Sequence, residues 1–421
     1  MLALLLAGSM WFYVQHVLIA HQLSDAALHG IPRGNLSDLY PRWLGARELL
    51  LHHRDPYGAS VTREIQIGYY GRALDPARPD DPTDQQGFAY PVYVVFLLAP
   101  TIYLPFAVVQ SGFRWLLIAL TAATVPVWVR VFRWRASKWT VATLMVLLLG
   151  SLQAIQGIKL QQLSLLVGGL IAFSALLLQT DRLAAAGILL ALATIKPQLA
   201  LPLAAWLLLW AAGDWRTRNK LVWGFAGTML ALIAAGEIVL PGWVGRFRQA
   251  LVAYRQYNNG AGSALELLFT PAWGRALAVA IVVGLAVVCW RFHRTSKDVP
   301  TFHWIMGVIL AATIVIAPKE APYNQVLLLA PILLVVSYWS ILWAAGALSR
   351  LALAVTALIV AWPWLAALGI TLASIFVPNP KLQRAWELPL YSTILIPLAV
   401  FAVVTIAIMK LLPRWTNVKP S

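Results

Sequence analysis

Residues 183–212 read LAAAGILLALATIKPQLALPLAAWLLLWAA. A single charge, Lys196, interrupts the run. Thirteen apolar or small residues precede it from Leu183, and about fifteen follow it. Thirteen helical residues reach only about 20 Å, short of a bilayer core of about 30 Å. Pro197 disfavours helix at Lys196, because the proline ring crowds the preceding backbone. Both flanks, Asp181-Arg182 and Asp214-Trp215-Arg216, carry the charge expected of one membrane face. The spacing therefore predicts a hairpin of two short helices with Lys196-Pro197-Gln198 at a buried tip. The other reading is an uncut, tilted helix in which Lys196 pairs internally. Irregular backbone at membrane depth is tolerated only inside protein or beside a cavity. A lysine held there is a functional candidate, and an anionic phosphate is its natural partner.

The rest of the chain is written in the same way. Of 421 residues, 60% are hydrophobic and 11% charged, against about 25% charged in a soluble protein. Apolar runs recur at Leu2–Ala20, Arg114–Val131, Trp139–Leu152, Leu163–Leu178, Leu221–Leu240, Trp273–Trp290, Phe302–Ala317, Val326–Trp343, Leu351–Phe376 and Ile394–Leu412. This is an all-α polytopic membrane protein, expected to have about ten to twelve transmembrane helices. Sustained alternation, the mark of a membrane barrel, is missing. One integral membrane domain is expected over 1–421: a polar loop at 21–90, then transmembrane helices and short loops from 91 to 421. The first apolar run reads as a true spanning helix and not a removable signal peptide. Cys289 is the only cysteine, which excludes intramolecular disulfides and cysteine-rich metal sites.

The net charge of +16 does not point to nucleic acid. The basic residues form short clusters between apolar runs: Arg130, Arg133, Arg135 and Lys138; Arg216, Arg218 and Lys220; Arg291, Arg294 and Lys297; Lys410, Arg414 and Lys419. The positive-inside rule makes these cytoplasmic. Pro241–Pro271, Pro318–Gln325, Val377–Pro389 and the His21–Tyr90 loop then face outward. One conflict follows. Between Tyr90 and Arg130 the chain must cross an odd number of times, so Pro91–Phe106, broken by Pro100 and Pro105, is expected to be re-entrant.

The His21–Tyr90 loop holds nine of the sixteen acidic residues, with seven arginines and no lysine. Leu36, Leu39, Tyr40, Trp43, Leu44, Leu50 and Leu51 recur at three- and four-residue spacings, one face of an amphipathic helix. Arg42, Arg47 and Glu48 fall elsewhere on its circumference. Such a helix is expected to lie flat on the outer membrane surface. Ser37 or Asp38 is placed to cap its amino end. Asp38 is also a candidate general base at the water–membrane boundary, with Arg42 one turn away to keep it ionised. Asp55-Pro56-Tyr57-Gly58 reads as a turn.

Three blocks together, Ser37-Asp38-Leu39-Tyr40 with Trp43, Ala46-Arg47-Glu48-Leu49-Leu50, and Asp55-Pro56-Tyr57, resemble the first outer loop of glycosyltransferase family 87. Tyr90-Pro91 before an apolar run fits, as do Ala186-Gly187-Ile188 leading to Lys196-Pro197-Gln198 and Pro318…Tyr323-Asn324 leading into a helix. The resemblance runs from about Asp38 to Leu329. It implies a GT-C-like fold and a polyprenyl-phosphate-sugar donor, typically carrying mannose. Transfer would be to a lipid or glycan acceptor at the outer face of the plasma membrane. Asp38 would deprotonate the acceptor hydroxyl, with inversion at the anomeric carbon and lipid phosphate as leaving group. Where some relatives have a histidine in the late loop, this chain has Tyr323-Asn324, which leaves the donor sugar open. No phosphate-binding glycine loop is present, and no cofactor is expected. A divalent ion held by Asp80, Asp81 and Asp84 stays open beside the reading of that cluster as a solvated turn.

Further candidates follow from polar residues in apolar surroundings. Lys196, Gln198, Lys159, Lys319 and Arg42 are candidates for the donor phosphate or lipid. Tyr40, Arg47, Tyr57, Tyr90, Gln162, Tyr323 and Asn324 are candidates for the cavity lining. Lys159, Gln161 and Gln162 form a polar break that either lines the cavity or is an outer loop. Lys319 and Glu320 read equally as an ion pair at a helix end. Arg246, Arg248 and Arg255, with Trp243, Tyr254 and Tyr257, make an interfacial helix of Pro241–Pro271, which either binds headgroups or walls the acceptor site. The histidines show no metal-ligand spacing. The rival function is a transporter or flippase of lipid-linked sugars, with Lys196 and Lys159 as its polar path. Against it stand the lack of internal repeats and the carboxylate-rich loop.

Overall fold

The fold is taken from a computed structural model. It describes residues 1–30, 33–75, 77–78, 80–257, 262–318 and 321–416. Among these every regular element is helical. Six helices are long and apolar enough to cross a membrane, the first being Leu2–Leu28. The others are Phe106–Val131, Trp215–Val239, Pro271–Phe292, Ala347–Ala373 and the broken helix Pro380–Leu411. A seventh is bent by 58° between Lys138–Leu149 and Leu152–Lys159, where Ser151 caps the second half by accepting from the Ala154 amide at 3.2 Å. Five more apolar helices are too short to cross alone. The chain is a multi-pass membrane protein, and the expected ten to twelve helices are reached only by counting these short ones.

Two of the long helices are almost bare of protein contacts. Only Leu221 and Gly236 are buried on Trp215–Val239, and only Gly274 and Cys289 on Pro271–Phe292. Pro300–Ile316 is the opposite, with all but its two end residues buried. It packs beside the hairpin, with Phe302 against Trp206 and Trp210 at 4.7 and 5.3 Å between ring centres.

The hairpin forms as the Lys196 spacing predicts. Helix Leu183–Leu192 tightens into a 3₁₀ turn at Ala193–Ile195, and Pro197 opens helix Pro197–Ala212. Proline suits a first helical position, where its missing N–H is not needed. An uncut helix is therefore ruled out. The first arm lies directly on Trp215–Val239: a Cβ at Gly187 would sit 2.2 Å from the Leu221 carbonyl oxygen, and one at Gly224 2.2 Å from that of Ala184. Small residues let the two backbones touch. The piece after Pro91 is a five-residue helix, Val94–Leu98, buried at Val94, Val95 and Leu98, with a 3₁₀ turn at Ala99–Thr101. It is far too short to cross, in keeping with the re-entrant reading. Phe106–Val131 then runs unbroken to the Arg130 cluster.

The loop at 21–90 differs from its expected form. Its helix spans Tyr40–His52 and does not lie on a surface: Pro41, Trp43, Leu44, Gly45, Ala46, Glu48 and Leu49 are all buried. Of the expected apolar face, Trp43 and Leu44 are buried and Tyr40, Leu50 and Leu51 partly so, Leu36 lies before the helix, and residues on the opposite face are covered as well. A second helix, Ala59–Tyr70, packs on it. Arg54 joins the two through Glu48 at 2.7 Å and Glu64 at 2.6 Å. Gly68 is the point of closest approach, since a Cβ there would fall 2.2 Å from the Tyr40 ring.

Candidate active site

Asp38 sits where the loop, the Leu163–Gln179 helix and the hairpin tip converge. Its amide donates to the Leu160 carbonyl at 2.9 Å. The neighbouring Ser37 is fully buried and donates to Gln161 Oε1 at 2.6 Å. These bonds lock the loop onto the polar break at 159–162. Neither Ser37 nor Asp38 is the helix cap: the cap position is Leu39, and no side-chain capping bond forms there. The Asp38 carboxylate points to the protein interior instead. Tyr69 donates to Oδ1 at 3.1 Å and the Gln162 amide nitrogen to Oδ2. The side chain is enclosed by protein yet keeps part of its surface accessible.

Gln162 bridges two charges. Its Oε1 accepts from Lys196 Nζ at 3.0 Å, and its nitrogen serves Asp38. Lysine has only donors, so it fixes which end of the amide faces it. Lys196 is 6% exposed and also donates to Ser164 Oγ at 2.6 Å. Ser164 in turn donates to Asn324 Oδ1 at 2.6 Å, and the ammonium lies 5.2 Å from the Tyr323 ring centre. Lys196, Gln162, Ser164, Tyr323 and Asn324 thus meet in one network. Gln161 holds this turn with a left-handed backbone, φ 49°, a conformation that costs a non-glycine residue about 1–3 kcal/mol and is found most at functional sites.

Arg42 closes the other side. Its Nη1 donates to the Asp38 carbonyl oxygen at 2.5 Å, and the guanidinium stacks 4.2 Å from the Tyr90 ring centre. Its Nε is buried without a hydrogen-bond partner, and such orphans are rare in folded proteins. Tyr254, from helix Trp243–Tyr257, is close enough to interact electrostatically with Arg42 and Tyr323. Burial is the largest influence on Asp38 and raises its pKa above the ordinary 3.8; Arg42, Lys196, Tyr69 and Gln162 oppose it without cancelling it. Arg42 does favour the ionised form of Asp38, as its spacing suggested, but burial outweighs it. A carboxylate of raised pKa is the better proton acceptor.

Other expected residues stand elsewhere. Tyr57 donates to the Tyr90 carbonyl at 2.6 Å and so supports Tyr90 from behind. Tyr40 packs edge-on against Phe106, and Arg47 lies over Trp43 at 5.6 Å; both serve packing of the loop helix. Gln198 is exposed at the start of its helix. Lys159 is not among the side chains around Asp38: its Nζ donates to Gln15 at 2.6 Å. Lys319 and Glu320 lie outside the described residues. Asp55 makes its turn, accepting from the Tyr57 amide at 2.9 Å, and also pairs with Arg246. Asp81 is taken up by Arg72, which with the Asp75 amide lowers its pKa to about 2. Among the described residues no three His, Cys, Asp or Glu side chains converge as a metal site.

Sequence reasoning missed Tyr69 and Ser164. Ser164 lies two residues beyond Gln162 and extends the same polar break. Tyr69 offered no signal, because only the packing of the second loop helix brings it to Asp38.

Fold and site define a polytopic membrane protein with a loop carboxylate tethered, through one amide, to a lysine at the tip of an intramembrane hairpin. A model of glycosyltransferase family 87 matches residues 88–318, more than half of the chain. The chain belongs to glycosyltransferase family 87 and is a membrane glycosyltransferase. The match begins after the loop helices, so its range includes Lys196 and not Asp38. No curated protein and no solved structure matches the chain.

Proposed function

We propose that this enzyme transfers a hexose, mannose foremost, from a polyprenyl-phosphate sugar to a lipid or glycan acceptor. Transfer takes place at the outer face of the plasma membrane, with inversion. The acceptor hydroxyl gives its proton to Asp38 as its oxygen bonds the anomeric carbon. The bond from that carbon to the phosphate oxygen breaks, and the electron pair leaves with the lipid phosphate. Lys196 offsets the charge that develops on that phosphate, and Arg42 is a second cation in reach of the same space. Electrostatic stabilisation of this kind acts strongly where water is excluded.

The observation that carries this reading is the Gln162 bridge. It sets a base and a cation at a fixed separation, one for each end of a displacement. Only the base is partly accessible; the cation is buried, where a phosphate entering from the lipid side would meet it.

The test is transfer from purified polyprenyl-phosphate-mannose and polyprenyl-phosphate-glucose into a lipid extract, by wild type and Asp38→Asn. Loss of a general base costs about 10²–10⁴-fold in rate, so transfer by wild type with a loss of that size in the variant is the expected outcome. Equal transfer by both removes Asp38 from the mechanism. A transporter would instead tolerate Asp38→Asn and fail on substitution of Lys196.

A further inference from the structure

A second cationic site lies on the other side of the 159–162 turn. Lys159 extends away from Asp38 and meets the amino-terminal helix, donating to Gln15 Oε1 at 2.6 Å and lying 5.6 Å from the Trp11 ring centre. Gln15 is presented there by a π-helical stretch, Tyr13–Leu18, a local widening that recurs at functional sites. Arg114 is the second cation, near enough for its charge to act on Lys159. Its position is secured independently: Gln110, one turn before it on Phe106–Val131, donates to Gln161 Oε1 at 3.1 Å, and residues four apart share a helix face.

This pair is physically costly as it stands. Two like charges lie within electrostatic reach of each other, and no carboxylate among the described residues pairs with either. Arg114 stands eight residues, about 12 Å, along a helix that crosses the membrane, and it is exposed. Trp11 and Trp115 beside the pair are exposed as well. Cations on the lipid-facing wall of a spanning helix call for an anion, and the anion that lipid offers is a phosphate. Arginine and lysine flanked by tryptophan also match the headgroup level of a bilayer.

We infer that Arg114, Lys159, Gln15 and Trp11 form a binding site for the phosphate of a membrane lipid, distinct from the Lys196 site. Arg114 and Lys159 hold the phosphate oxygens, Gln15 orients the ammonium, and Trp11 packs on the lipid's upper chain. The site is wired to the catalytic turn. The Lys159 carbonyl accepts from Gln161 Nε2 at 2.6 Å, and Gln161 Oε1 accepts from Ser37. A lipid held at Lys159 therefore braces the strained residue that precedes Gln162.

The test is lipid retention, which needs no sugar transfer and so survives failure of the proposed activity. Wild type and the Arg114→Gln/Lys159→Gln double variant are stripped in detergent. Each is titrated with phosphatidylcholine, phosphatidylglycerol and polyprenyl phosphate, and bound lipid is counted by native mass spectrometry. Wild type should retain one more phosphatidylglycerol than phosphatidylcholine, and the double variant should lose at least about tenfold of that preference. An Arg114→Lys/Lys159→Arg exchange, which keeps the charges, should restore most of it and controls for folding. If only polyprenyl phosphate depends on the pair, the site takes an isoprenoid phosphate and not a general headgroup. If the double variant, folded by its melting curve, retains every probe as wild type does, the inference is overturned.

Discussion

Gln162 is where the site is most sensitive to a single atom. Its amide is oriented from one side by an ammonium that can only donate, so its N–H must face Asp38. Replacing it with methionine removes that donor and keeps the volume. Asp38 then loses one influence that lowers its pKa, and the acid limb of kcat/KM should move to higher pH. The fall should lie mainly in kcat, with KM for the donor little changed. Gln162→Glu should be worse, since it sets a carboxylate beside Asp38. A pH–rate profile of both variants decides this; an unshifted limb would mean that Gln162 only packs.

The same reasoning fixes a sign for stability. Asp38 has a folded-state pKa above its ordinary value, so folding favours the protonated form. The penalty for ionisation is absent below the unfolded value, about 3.9, and complete above the folded one. At neutral pH Asp38→Asn should therefore melt at the wild-type temperature or above it while transfer is lost. A lower melting temperature would mean that the carboxylate serves the fold. Activity behaves conversely: the wild-type rate should fall as pH drops towards the raised Asp38 value, ahead of ordinary carboxylate titration. Asp81 runs the other way. Held at about 2 by Arg72, it stabilises the loop above the unfolded value and loses that effect only as pH falls towards 2.

Among the elements, the hairpin was legible because length, charge and proline agree: two arms too short to cross, a lysine, and Pro197 between them. The loop helix was legible in its apolar spacing and not in its surroundings. Amphipathic spacing reports that one face is buried; it does not say that Ala59–Tyr70 and Val94–Leu98 cover the other. The cap at Asp38 failed for a related reason. An aspartate before a helix is read locally as its cap, but Tyr69 and Gln162 reach it from distant parts of the chain, and sequence proximity carries no trace of them. Gly187 tests the close contact of the first hairpin arm. Gly187→Val forces a side chain against the Leu221 carbonyl and should destabilise by about 1–3 kcal/mol, read as a lowered melting temperature in detergent. An unchanged melting temperature would mean that the two helices separate freely.

For the whole molecule, the sequence announced a polytopic helical bundle through composition alone. It could not apportion helices between lipid and protein, because apolar residues suit both solvents. The structure separates them by tryptophan. Trp223 and Trp290 are 65% and 67% exposed, whereas Trp206 and Trp304 are each 1% exposed. In nanodiscs containing brominated lipid, single-tryptophan variants should show strong quenching at 223 and 290 and little at 206 and 304. Quenching at all four would contradict the bundle described here.

The hairpin has a consequence for how the protein is made. A half-length helix ending in a lysine is poorly suited to entering a bilayer alone. By the time Lys196 leaves the ribosome, however, Asp38, Gln162 and Ser164 have all been synthesised, and only Tyr323 and Asn324 are still to come. The amide and the hydroxyl that accept from the ammonium in the finished enzyme, and the carboxylate beyond the amide, are already on hand during insertion. The order of these residues along the chain thus lets the groups that surround Lys196 shelter the charge while the membrane domain is still being assembled.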